Sequence, residues 1–151
     1  MPAGPAAPAP ETTLLTADPV ADECLLDAGG FAALLGGPVG RPAETAVIRP
    51  DGSSTRSCYA TSRAGEPAPT AAVNVYRVNR GTPAAFVSAA AGGRPLPGVG
   101  EAAVLLDTVG GTTLQVAIPR YLVTVNVVDA TPSAERWAAA GRAVVAAAGR
   151  P

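Results

Sequence analysis

Residues 121–129 run Tyr-Leu-Val-Thr-Val-Asn-Val-Val-Asp. Tyr121, Val123, Val125 and Val127 fall on one side of an extended chain, and Thr124 and Asn126 on the other. That alternation predicts a strand with its apolar face against a core. Just upstream, Pro119-Arg120 marks a turn or bulge, because proline cannot donate to a ladder. Before it, residues 102–107 and 113–118 flank Val109-Gly110-Gly111 and read as a hairpin. Three strands joined by short turns make the second half of the chain a meander.

The first half has the same composition of parts. Residues 45–49 and 55–61 are β-prone and separated by Pro50-Asp51-Gly52-Ser53, a turn sequence, so they form a hairpin. Residues 71–79, with Val73, Val75, Tyr76 and Val78, supply a third strand. Three helices punctuate these strands. Asp27 caps the first, and Phe31, Leu34 and Leu35 sit at helical spacing before Gly36-Gly37-Pro38 stops it. Gly29 and Gly30 weaken that helix by about 1 kcal/mol each relative to alanine, so it depends on packing. Thr82 and Pro83 open a second, Ala-rich helix running to Ala91, after which residues 94–100 read as a Pro/Gly loop. Thr131-Pro132 open the last helix, whose face of Trp137, Gly141, Val144, Val145 and Ala148 lies across the sheet. Trp137 is expected to be buried at its N-terminal end.

The order is helix, three strands, helix, three strands, helix, with no strand–helix–strand alternation. It predicts an α+β fold with a mainly antiparallel sheet of about six strands and the helices packed on that sheet. The two helix-plus-three-strand halves suggest a duplication, but their residues do not align. The 151 residues fit one domain. Residues 22–148 form it, residues 149–151 are a tail, and residues 1–21 are a flexible tether. Four Pro and four Ala among the first ten residues cannot bury enough apolar surface to offset their ordering entropy.

Composition excludes several chemistries. The chain has no histidine, and all eleven basic residues are arginine. A His-based triad, a His-ligated metal and a Schiff-base lysine therefore cannot be built from it. A net charge of −1 lacks the basic excess that nucleic acid or an anionic membrane would require. No stretch approaches the ~20 apolar residues of a membrane-spanning helix. The N-terminus has no basic region followed by an apolar run and does not read as a signal peptide. An exported protein would have had its signal removed; otherwise Met1 is native and the chain cytosolic.

Cys24 and Cys58 permit a single disulfide, the alternative being two buried thiols acting as small hydrophobes. The disulfide is the favoured reading, because it would join the start of the first structured segment to a strand. It would stabilise the fold by roughly 2–4 kcal/mol and imply an oxidising compartment.

The remaining motifs have plain structural readings. Gly98-Val99-Gly100-Glu101-Ala102-Ala103 matches a dinucleotide fingerprint in letters only, since it leads into a strand and not from a strand into a helix. No cofactor is expected. The twelve carboxylates are scattered singly and read as surface groups, so no catalytic residue is assigned. Asp51 is explained by its Asp-Gly turn and offers only one calcium ligand, so no metal site is expected. The six aromatic residues read mainly as bulk for a core of small Ala and Val side chains.

Cys24-Leu25-Leu26, Leu34-Leu35-Gly36, Ser57-Cys58-Tyr59 and Pro97-Gly98-Val99-Gly100-Glu101-Ala102-Ala103, closed by an Ala-rich helix, resemble a known pattern. It is that of small secreted or lipid-anchored actinobacterial proteins grouped as a domain of unknown function. The resemblance spans residues 22–148. It implies an envelope location, a Cys24–Cys58 disulfide and an α+β domain after a tether, and it carries over no catalytic residue. The chain departs from the lipid-anchored members in showing no lipobox cysteine ahead of the tether.

The expected role is a non-catalytic extracytoplasmic module that binds an envelope or secreted protein, either secreted or anchored through a segment outside this chain. Such a module should expose a large apolar patch. The alternative is a carrier or sensor for an apolar small molecule held between sheet and terminal helix, with Tyr76, Arg77 or Tyr121 at the mouth. A third, less favoured reading is an enzyme using carboxylates and tyrosine, which would need a cleft holding a carboxylate of raised pKa.

Overall fold

The structure is a computed structural model describing residues 14–48, 50 and 54–149. Its elements are β1 (Leu15–Ala17), α1 (Ala28–Leu35), β2 (Ala43–Ile48), β3 (Ser54–Thr61), β4 (Thr70–Val78), α2 (Pro83–Ser88), β5 (Arg94–Pro95), β6 (Ala102–Thr108), β7 (Gly111–Ala117), β8 (Leu122–Val128) and α3 (Ala134–Ala148). All strand pairs are antiparallel and belong to one sheet ordered β2-β3-β4-β8-β7-β6-β5, with β1 on β4. Two meanders, β2–β4 and β6–β8, thus meet at a central seam between β4 and β8. The expected α+β class and antiparallel sheet are present.

The sheet has eight strands where six were expected. One of the two extra strands, β1, lies inside the stretch read as tether. It forms because β3 stays on β4 only from Thr70 to Val73, and β1 takes up the same edge at Tyr76–Val78. The other, β5, pairs Arg94 and Pro95 with Leu105 and Val104, where a loop was expected. Strands of three and two residues carry no periodicity, which is why the sequence hides them. Residues 1–13 and the turn residues Asp51, Gly52 and Ser53 lie outside the described residues.

Period-two alternation sends the strand side chains into two cores. Ala71, Val73 and Val75 of β4 and Val123, Val125 and Val127 of β8 are buried toward α1 and α3, with Phe31, Leu34 and Trp137 above them. Leu122, Ala117 and Val104 face the other way and are sealed by Val87 of α2, flanked by Tyr76 and Phe86. The predicted inward face of residues 121–129 is therefore correct, and Trp137 is buried as expected.

Capping sets the helix ends. The Asp27 carboxylate accepts from Gly30 N, and Gly36 closes α1 at φ +82°. The Thr82 hydroxyl accepts from Ala85 N, with Pro83 in the first turn. α2 ends at Ser88, not at Ala91. The cap of α3 is Ser133, whose hydroxyl accepts from Arg136 N, and not Thr131. Ser133 takes the extended cap conformation, φ −68° and ψ 163°, so the helix starts after the Thr131-Pro132 pair and not within it.

Candidate functional site

Three features outside the cores bear on function. The first is a cleft beside the C-terminal end of α3. Ile118 and Tyr121 bracket the β7–β8 turn and meet Val145, Ala148 and Gly149, enclosing a recess of about 370 Å³ with Pro119 and Arg120 at its rim. A second recess of about 200 Å³ lies between Val20, Leu25, Val75 and Ala147, with Asp22 at its edge. Ile118, Tyr121 and Ala148 line both.

The register separates the three residues placed at the mouth of a ligand site. Tyr76 pairs with Leu122 and packs into the α2-side core. Tyr121 packs against the core under α1 and α3. Arg77 is one step from Tyr76, on the same sheet face as Val75, and extending the register places it across from Tyr121. Arg77 and Tyr121 therefore share the cleft face, while Tyr76 lies on the opposite face of the sheet.

The second feature is the part of the α2-side face that α2 does not cover. Following the registers across the strands, one row runs Thr61, Thr70, Val128, Gly111, and the next runs Tyr59, Ala72, Asn126, Thr113. A third runs Asn74, Thr124, Gln115. None of these residues is buried, and none is charged. Some of their polar groups are hydrogen-bonded, Asn126 Nδ2 donating to Thr113 Oγ1 at 2.7 Å and Asn74 Nδ2 to Ser57 Oγ at 2.7 Å, whereas the Gln115 Oε1 atom is buried without a partner. Tyr59, read as core bulk, is 37% exposed here. The exposed large hydrophobic residues among those described are Tyr59 on β3, Leu14 just before β1 and Val109 in the β6–β7 turn.

The third feature is a polar knot that the sequence reading missed, having placed all carboxylates at the surface. Glu23 is fully buried, and neither of its carboxyl oxygens has a hydrogen-bond partner. Burial pushes its pKa from 4.5 to about 7; Asp18 adds to the rise and Arg56 opposes it. Arg56 organises the surroundings. Its backbone N–H donates to Asp18 Oδ1 at 2.9 Å, and its guanidinium donates to the carbonyls of Val20 and Ala21 at 2.6 and 2.9 Å. Asp18 adopts φ +59°, a left-handed conformation that aspartate tolerates better than most residues. Glu44 Oε2 accepts from Glu23 N at 3.0 Å. Beside this knot, Cys24 and Cys58 form the disulfide. A bond of this kind persists in an oxidising, extracytoplasmic setting. Glu23 lines none of the described cavities, so its raised pKa is not set in a cleft. No local signal marked Glu23 for burial: Asp22 before it is exposed and Cys24 after it only partly buried.

The Gly98-x-Gly100 motif has a packing role. Gly100 sits at φ +57°, where a Cβ would lie 2.6 Å from the Ala117 carbonyl oxygen. Val99 between the glycines is buried against Gly141 of α3, where an added Cβ would come within 2.5 Å of Val99 Cγ1. The loop is thus a plug that seats α3. No helix among the described residues is long and apolar enough to cross a membrane, and those residues contain no metal-ligating cluster. Comparison with family models, curated proteins and solved structures finds no match.

Proposed function

We propose that this protein is a non-catalytic binding module of the cell envelope or secretome that recognises a protein partner through the uncovered sheet face. The observation that carries the reading is the charge-free surface of Tyr59, Asn74, Thr113, Thr124 and Asn126, left half-exposed on four adjoining strands. Asn74, Asn126 and Thr113 are held by hydrogen bonds, so these side chains have fewer rotamers to lose on binding. With no ion to desolvate, a partner's backbone and side-chain polar groups can replace water there at modest cost. Tyr59 adds the aromatic area on which interface hot spots are often built. The disulfide and the resemblance to secreted and lipid-anchored actinobacterial proteins support an extracytoplasmic location.

The test places a photo-crosslinking residue at Tyr59 and, separately, at Arg142, which is exposed on α3 away from this face. Each protein is exported from a native host and irradiated. A single adduct with a second polypeptide from position 59, absent from position 142 and lost when Thr124→Arg is added, is expected. Equal labelling from both positions, or an adduct with polysaccharide alone, would refute a protein-binding face.

A further inference from the structure

The cleft around Tyr121 lies on the sheet face opposite the proposed partner surface, and it has a chemistry of its own. Its walls are aliphatic: Ile118 and Ala148 line both recesses, Val145 adds to the larger, and Val20, Leu25 and Val75 to the smaller. The two recesses together fall in the ~300–1,000 Å³ range of small-ligand sites. Both lie open to solvent, so a long apolar body could enter without unfolding the chain.

Charge at the mouth is one-sided. Arg120 lines the rim; Arg77 lines neither recess but stands on the same sheet face, across the strand register from Tyr121. Both are exposed, and neither forms a hydrogen bond or ion pair among the described residues. The one acidic residue lining either recess, Asp22, is partly engaged, its Oδ1 accepting from Cys24 N at 2.8 Å. Apolar walls with one uncommitted guanidinium, Arg120, at the rim and a second, Arg77, on the same sheet face match a molecule with an apolar tail and a single anionic head. Arginine pairs with a carboxylate through two parallel N–H donors, which gives the head a defined seat.

We propose that the Tyr121 cleft binds a single-chain amphiphile bearing a carboxylate, its tail lying across Tyr121 in the two recesses and its head held by Arg120 and Arg77. This site is independent of the uncovered sheet face, so either assignment can fail without the other.

The experiment titrates the disulfide-bonded full chain with dodecanoate and with dodecanol, below their aggregation limits, by calorimetry. Saturable one-to-one binding of dodecanoate is expected, weakened about tenfold or more in Arg77→Ala/Arg120→Ala and unchanged in Arg142→Ala. Dodecanol, which lacks the head, should bind wild type and the double variant alike. Ala148→Trp, which fills both recesses, should abolish binding of either probe; if it unfolds the chain, Val145→Phe serves in its place. No saturable binding of dodecanoate, or equal affinity in wild type and the double-arginine variant, would overturn the proposal.

Discussion

At the scale of single residues, Glu23 sets a pH dependence whose sign follows from its burial. In the unfolded chain it ionises near 4.5, and in the folded chain near 7. Below about 4.5 it is protonated in both states, and its burial then carries no charge penalty. As pH rises from 4.5 through 7 the unfolded chain releases the proton first, so the folded state loses stability relative to it. By pH 8 the loss is on the order of 3 kcal/mol. Urea unfolding should therefore show wild type losing stability against Glu23→Gln across that window, with the variant the more stable at pH 8. Parallel profiles for the two proteins would show that Glu23 does not carry the effect. Gly111 shows the opposite kind of residue-scale constraint. A Cβ there would collide with the Val127 carbonyl oxygen, so β7 and β8 can approach at their ends only because a glycine stands at that point. Val109-Gly110-Gly111 was legible as a turn, but this close approach depends on which strand lies alongside.

At the scale of elements, the weakest helix has the strongest tether. α1 contains Gly29 and Gly30, and the chain leading into it is bonded to the middle of β3 through Cys24–Cys58. With the half-cystines 34 positions apart, the chain-entropy model gives about 4 kcal/mol for that closure. Cys24→Ala/Cys58→Ala should lose about 3–4 kcal/mol in urea denaturation and give up α1 helicity first. A loss under about 1 kcal/mol would mean that packing of Phe31, Leu34 and Leu35 alone holds the helix. The α3 seat works by close approach: Gly141 leaves room for Val99, which explains a glycine in a helix interior despite its cost of about 1 kcal/mol relative to alanine. The helices and six of the strands were readable because caps, turn residues and alternation are local. β1 and β5 were not, because their pairing depends on edges left open by strands distant in sequence.

At the scale of the whole molecule, the seam governs stability. β4 and β8 are hydrogen-bonded on both edges and buried on the α1/α3 face, whereas β2 and β5 are the outer strands. Native-state hydrogen exchange should show the slowest amides in β4 and β8, near Val73 and Val125, and faster exchange in β2. Equal protection in β2 and β4 would show that the sheet has no such hierarchy. The seam also bears on the duplication suggested by the two halves. Two antiparallel meanders related by a dyad through the seam would carry their helices on the same face. α1 and α2 lie on opposite faces, so the fold does not repeat as a symmetric pair.

The sequence alone determined whatever depends on near neighbours: the α+β class, the hairpins, two of the three helix caps, the inward face of β8 and the absence of histidine and lysine chemistry. It also narrowed the cysteines to one pairing. Tertiary structure decided the rest. It buried Glu23 within the Arg56 knot, separated Tyr76 from Arg77 and Tyr121 across the sheet, and left the face around Tyr59 uncovered. The reason is physical: period-two alternation states that a side chain lies on one face or the other, but only the packing of distant helices decides which face is closed and which remains open to a partner.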